Sequence, residues 1–384
     1  MAPRRSFPDA LAAPIALALL AALVGGGAIP GGGASAQAED RPPTDPFVLP
    51  ALLDRAGFAP PEGFKALVLL PDADGEGPAF DWCGTSDDRG DWWPASSVKI
   101  FAAIAALERS RELGFPPEVW VRYHYDREPG APEDASSVAY RLSGMVQRAI
   151  APSSNADFDR LVELVGLDAM HRGFFTEENG LEDTAFRRAY TGRLRDPETD
   201  LGVFGASPPL SLYLGRRRRE LPARPATVTP DCPDLGNCTT LADLAEAMRR
   251  VMFHGRLPPE ERFDLGPPEL EVLRGALSGE RPRGNGLPAA VQRGVGEDVS
   301  LRFFHKPGYA LRWISEVLLV EWQDTGRRAI IAAAARPHRR ALDDALEAMG
   351  RLLARDAFDA VGSSAEMLDA TGREVCRRPR GEAR

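Results

Sequence analysis

Apolar positions recur along this chain with two different periods, and the periods divide it. Val98, Phe101, Ile104 and Leu107 form one stripe on a helix that Pro94 opens, Ala95 to Leu113 carry and Gly114 stops. Phe158, Leu161, Val162 and Val165 follow the core-facing helical spacing from Ala156 to Val165, and Leu342, Ala345, Leu346, Met349 and Leu353 do so from Arg340 to Arg355. Further helices are expected near Pro50 to Ala56, over Ala139 to Ile150, around Ala169, over Leu241 to Phe253 and over Glu269 to Leu277. Short apolar runs rich in β-branched and aromatic residues read as strands instead: Lys65 to Leu70, Ala79 to Cys83, an extended piece over 117–125, then Ser300 to His305, Leu311 to Trp322 and Arg328 to Ala334.

Strands near both chain ends with helices between them predict an α+β fold. An antiparallel sheet is formed from both chain ends and flanked by helices, with an inserted all-helical subdomain. The expected boundaries are a linker over 39–60, an α/β subdomain over 61–94 and 285–384, and a helical subdomain over 95–284. Residues 184–236 break the pattern with many Pro and Gly, the basic run Arg216 to Arg219 and little periodicity. They read as one long loop, functional or mobile, with the arginines at a solvated tip.

The N-terminus adds a separate signal. Arg4 and Arg5 precede an apolar run from Leu11 to Ile29, which ends in small residues, Ala34-Ser35-Ala36-Gln37-Ala38. That is the layout of a secretory signal peptide over 1–38, so the mature chain is expected outside the cytoplasm, periplasmic or extracellular. Later segments fall short of 18 apolar residues, so no membrane span is expected after cleavage. The formal net charge is −9, and loss of the leader's Arg4, Arg5 and Asp9 makes it −10. Such an acidic chain is not a general nucleic-acid binder, and a monomer is expected.

Four cysteines in an exported chain permit three disulfide connectivities. Cys232 and Cys238, close together among Pro and Gly, are the favoured pair, which leaves Cys83 with Cys376. The absence of C-x-x-C spacing and the scattering of His124, His171, His254, His305 and His338 speak against a metal, and no organic cofactor is implied. Lysine is the more telling residue. Of 47 basic residues only Lys65, Lys99 and Lys306 are lysines, and lysine can act as a base where arginine cannot.

Two of those lysines fall in short motifs. Ser96-Ser97-Val98-Lys99 lies at the opening turn of a strong helix, where residues three apart share a face. There Lys99 can reach Ser96 Oγ and supply the base a serine nucleophile needs, and the helix N-terminus depresses the lysine pKa. Ser153-Ser154-Asn155 sits at the junction before the next helix, where a second hydroxyl could relay a proton and an amide could hold a substrate amide. His305-Lys306-Pro307-Gly308-Tyr309 ends a strand, putting a cation in the cleft and a glycine where backbones approach closely. Each motif alone has an ordinary structural explanation: a helix-start serine, a capping cluster, a strand-end turn.

In this order, S-x-x-K, S-x-N and K-x-G resemble the signature of the penicillin-recognising serine hydrolases. Met145 to Gly166 is similar to the second-motif region of class A β-lactamases, and Asn237-Cys238-Thr239-Thr240 and Gly286-Leu287-Pro288 look like later landmarks of that family. The resemblance covers roughly residues 62–356. It implies a β-lactamase/transpeptidase-like fold and acyl transfer through Ser96, with Lys99 as its base and Ser153 as proton shuttle. Asn155 and Lys306 would bind substrate, and the backbone N–H groups of Ser96 and Tyr309, beside Gly308, would form the oxyanion hole. The implied partner is a small β-lactam or a peptidoglycan peptide, and the implied consequence is antibiotic resistance.

Two departures qualify that resemblance. Pro307 stands where class A enzymes usually carry a hydroxyl residue that helps hold the substrate carboxylate; Arg312 is the candidate substitute cation. The family's deacylating glutamate sits in a stretch like T-R-L-D-R-W-E-P. Its best local match, Thr184 to Thr191, puts Tyr190 at the glutamate position, and tyrosine is a poor water-activating base. Glu182 and Glu198 are the alternative carboxylates. Three readings therefore stand in order: a class A β-lactamase-like hydrolase; a penicillin-binding D-Ala-D-Ala peptidase or slow-deacylating acyl enzyme; and a non-catalytic cell-wall or partner-binding descendant.

Overall fold

A computed structural model describes residues 44–357 apart from 46–47, 62, 78, 82–91, 126–136, 192–201, 233–235, 279–286, 311, 337–338 and 356. The leader, the Cys83–Cys376 pair and Glu198 lie outside the described residues. In chain order the elements are β1 (Thr44–Asp45), α1 (Val48–Arg55), β2 (Lys65–Leu69), β3 (Ala79–Asp81), a 3₁₀ turn at Ala95–Val98, α2 (Lys99–Glu112), β4 (Trp120–His124) and β5 (Ser137–Arg141). They continue with α3 (Leu142–Ile150), α4 (Asn155–Val165), α5 (Leu167–Ala169), β6 (Leu210–Leu214), β7 (Arg217–Leu221), α6 (Leu241–Met252) and α7 (Pro267–Leu277). The chain closes with α8 (Leu287–Val295), β8 (Leu301–Tyr309), β9 (Ile314–Trp322), β10 (Arg328–Ala335) and α9 (Arg339–Ala354).

The principal sheet has the order β1-β3-β2-β10-β9-β8, so strands from both ends of the chain do meet in one sheet. Its pairs are antiparallel except the outermost, where β1 runs parallel to β3. Side chains alternate across it. Ala329, Ile331 and Ala333 enter a core with Leu346 and Met349 of α9, whereas Ile330, Ala332 and Ala334 enter the larger core shared with the middle of the chain. Burial on both faces is why these strands read as unbroken apolar runs rather than as alternation.

The middle of the chain packs around α2. Every residue from Lys99 to Ser110 is buried, because Ala102, Ala103, Ala105 and Ala106 fill the faces between the stripe of larger side chains. A helix enclosed on all sides is a rigid platform, and it carries Lys99 at its first position.

The expectation of an all-helical insert is corrected here. A second sheet, β5-β4-β6-β7, lies within it. Its hairpin β6–β7 falls inside the segment expected to be one long loop, and Arg217, Arg218 and Arg219 lie on β7 rather than at a loop tip. Leu210, Leu212 and Leu214 do alternate with polar or aromatic residues, and Gly215, with φ of +60°, makes the tight turn that joins the strands. Residues 139–141, expected to begin a helix, pair with β4 as part of β5 instead, so the helix starts at Leu142. The Cys232–Cys238 disulfide forms as favoured.

A buried arginine ties the two halves together. Arg249 on α6, 2% exposed, bonds Glu246 on its own helix at 2.7 and 2.9 Å, Glu76 in the β2–β3 turn at 2.6 Å and Glu261 at 2.7 Å. Removing it leaves Glu76 and Glu261 without this cation and Glu246 with Arg250 alone, at 2.5 Å. Arg249→Ala is expected to cost about 3 kcal/mol, read as a lower urea midpoint with an unchanged slope.

Candidate active site

Ser96 lies in the 3₁₀ turn that leads into α2, half-buried and one residue past Ala95, which has a φ of +49°. A non-glycine residue in that region is strained, and specific bonds hold the turn in place. Ser97 N and Oγ both donate to Pro94 O, at 3.1 and 2.7 Å, and Ser315 Oγ of β9 donates to the same carbonyl at 3.1 Å. Tyr190 OH donates to Ala95 O at 2.5 Å.

Lys99 does not hydrogen-bond Ser96 among the described residues. Its fully buried Nζ donates to Ser153 O at 2.5 Å, Asn155 Oδ1 at 2.6 Å and Ser153 Oγ at 3.2 Å. Lys306, also fully buried and set within β8 rather than at a strand end, donates to Ser153 Oγ at 2.9 Å. Two ammonium groups therefore converge on one hydroxyl. Burial, and the Lys306 charge, push Lys99 down to about 7 against the partial pull of Asp159 and Asp157. Burial pushes Lys306 down to about 8. Ser153 is itself strained, with φ of +60°. Ser154 Oγ caps α4 by accepting Asp157 N at 3.2 Å, and Asn155, the first helical residue, is exposed at the rim.

Gly308 closes the site. It lies on the edge strand β8, opposite Ser315 of β9, and a Cβ there would overlap Pro94 O and Ser315 Oγ. Only glycine lets the edge strand press against the serine turn. Tyr309, next along the strand, keeps a half-exposed side chain. Pro307 is tolerated because β8 is an edge strand. Arg312 is exposed on the turn between β8 and β9.

Tyr190 stands beside Ala95, its ring 4.7 Å from Phe158 and 5.4 Å from Lys99 Nζ. Burial raises its phenol pKa. Asp159, fully inside the protein, fixes it by accepting Tyr190 N at 2.8 Å and Thr191 N at 2.7 Å. Asn237 Oδ1 accepts Arg187 N and Arg188 N, each at 2.8 Å, and pins the preceding residues. Glu182 is exposed. The sequence reading missed Asp159 and Ser315. Asp159 shares a helix face with Asn155, four residues earlier, which is the one signal it gave; Ser315 shows its role only through strand register.

Ser96, two buried lysines and the Ser153 hydroxyl thus gather where β8 and β9 of the principal sheet meet α2 and α4. The profile of the β-lactamase enzyme family matches residues 88–361, and the chain belongs to that family. Among solved structures it is similar to a β-lactamase from Burkholderia vietnamiensis, at 13% identity and a TM-score of 0.53 over 82% of this chain and 97% of that one. A class A β-lactamase representative from Bacteroides cellulosilyticus gives 12% identity and a TM-score of 0.52 over 81% and 97%. A β-lactamase from Xanthomonas campestris pv. campestris gives 16% and 0.52 over 80% and 96%. At such identities the likeness is one of fold. No curated protein sequence matches the chain.

Gly308→Ala is expected to force β8 away from the serine turn at a cost of about 2 kcal/mol, as overpacking does. A calorimetric melting temperature lower by several degrees would register it; an unchanged one would mean the contact is soft.

Proposed function

We propose that this chain is a serine acyl-transfer enzyme that opens a β-lactam or a related peptidoglycan amide on Ser96. The observation that carries the proposal is the buried Lys99, poised near pKa 7 one helical turn from Ser96 and bonded to Ser153. In this reading neutral Lys99 takes the Ser96 proton as Oγ attacks the amide carbonyl. The oxyanion settles on the backbone N–H groups of Ser96 and Tyr309. The proton passes through Ser153 to the departing nitrogen, and Lys306 holds the Ser153 oxygen in position. Asn155 at the rim binds the substrate's amide side chain. A pure binding descendant would have no use for a lysine whose pKa burial brings down to about 7. The leader-like N-terminus supports action outside the cytoplasm.

A second feature concerns turnover. Tyr190 occupies the place that the resemblance gives to the water-activating glutamate, and its raised pKa makes it a poor base. The acyl-enzyme is therefore long-lived on this reading, closer to a penicillin-binding peptidase than to a fast β-lactamase.

Intact-mass measurement after addition of a penicillin is expected to show an adduct of one drug mass that persists, and none in Ser96→Ala. In Tyr190→Glu the adduct is expected to decay at least about tenfold faster. An adduct on Ser96→Ala would place the nucleophile elsewhere, and rapid decay in the unaltered protein would call for another base. The acylation rate should rise about tenfold per pH unit below pH 6 and level above about pH 8, following neutral Lys99. Lys306→Met removes a cation that lowers the Lys99 pKa, so the inflection should move to higher pH. A profile flat across this range would remove Lys99 as the base.

A further inference from the structure

The outward face of the second sheet carries an arrangement that acyl transfer does not use. Side chains alternate along its strands. Val121, Tyr123, Leu210 and Leu212 are buried in the main core, which leaves Trp120, Arg122, Ser211 and Tyr213 on the opposite face. The register sets Arg141, Trp120, Tyr213 and Arg218 side by side across all four strands. The rings of Trp120 and Tyr213 stack, with centroids 6.4 Å apart and planes 8° from parallel. The Arg141 guanidinium lies 5.2 Å from the Trp120 ring and that of Arg122 lies 5.6 Å from the Tyr213 ring.

The result is a cluster of one indole, one phenol and two guanidiniums, with Arg122 on the same strand as Trp120. Each ring has a guanidinium carbon within 5.6 Å of its centroid, and such a cation–π contact reduces the entropy lost when the arginine binds an anion. Arg122, Arg141 and Arg218 are all exposed. Three interstrand steps of about 4.8 Å separate Arg141 from Arg218, so the row is roughly 14 Å wide. The carboxylate on this face, Glu220, is already engaged: it accepts Ser211 Oγ at 2.7 Å and pairs with Arg218. His124 Nε2 meets the same Ser211 Oγ at 2.7 Å. Among the described residues of this face three guanidiniums stand against one carboxylate, on a chain whose net charge is −9.

We propose that this face binds a linear polysaccharide that carries carboxylate groups. Guanidinium forks pair with carboxylates bidentately, and a row of this width meets successive charges of an extended polymer rather than a single small anion. Single-stranded nucleic acid is the competing polyanion, but its binding sites stack bases on open aromatic faces. Here the Trp120 and Tyr213 rings already lie against each other and each against an arginine. The site is independent of Ser96 chemistry.

The test uses the full mature protein and polygalacturonate as the probe, with hydroxyethyl cellulose as the neutral glycan and an oligothymidylate as the nucleic acid. Binding to polygalacturonate is expected and binding to the neutral glycan is not, with affinity falling at least about tenfold between 50 and 300 mM salt. The triple variant Arg122→Gln/Arg141→Gln/Arg218→Gln should lose at least about tenfold in affinity, while its penicillin adduct forms at the unaltered rate and so reports an intact fold. Should the triple variant lose that adduct, Arg141→Gln alone, on the outermost guanidinium of the row, is expected to weaken binding about threefold. Equal binding by the variants, equal binding of the neutral glycan, or preference for the oligothymidylate would each overturn the proposal.

Discussion

Two lysine ammonium groups donate to one serine oxygen in the interior of this protein, and much of the structure serves that arrangement. Lys99 and Lys306 come from opposite sides, one from the first position of a helix buried from Lys99 to Ser110 and one from an edge strand. Putting both cations out of water beside each other is costly, and the cost appears as two depressed pKa values rather than as a disrupted core. Asp157 and Asp159 offset part of it at Lys99 from a distance. Asp157 is itself engaged by Arg148 at 2.7 and 2.9 Å, so it only moderates the field at Lys99.

The backbone bears a matching strain. Ala95 and Ser153, the only non-glycine residues with positive φ among those described, flank this centre from its two sides. Each is fixed by a bond from the other's neighbourhood: Tyr190 OH on Ala95 O, and Lys99 Nζ on Ser153 O. Local conformational rules are broken where the chemistry is proposed to occur and obeyed in the surrounding elements, the pattern expected of a functional site in a stable scaffold.

The motifs were legible because residue type and spacing carry them. Ser96 and Lys99 needed only helical geometry to be read as neighbours, and the order of three motifs supplied the fold. Their actual contacts were not legible: Lys99 turns to Ser153 and Asn155, more than fifty residues away, because the 3₁₀ turn puts Ser96 ahead of the α-helix rather than on it. The second sheet was hidden for a different reason. The alternation of β6 is only five residues long and sits among prolines and glycines, and its stability comes from pairing with β4, a partner about ninety residues earlier. Strand pairing over that separation leaves no local trace beyond the short pattern itself. Ser315 was invisible for the same reason, since only register brings it to Pro94 O.

Tyr190 joins these threads. A carboxylate at its position would be free to orient water, but it could not donate to Ala95 O and would add a negative charge beside Lys99. The phenol does the reverse: neutral, buried and fixed by Asp159, it braces the strained turn that presents Ser96 and leaves the Lys99 pKa to be set by burial and by Lys306. A carboxylate there would pull the Lys99 pKa upward and keep more of the lysine protonated at neutral pH. One position thus has two incompatible uses, bracing the nucleophile with a donor or activating water with a base. On the proposed reading, a chain that takes the first keeps the acylating half of the chemistry intact, while release of the acyl group depends on what reaches the ester from elsewhere.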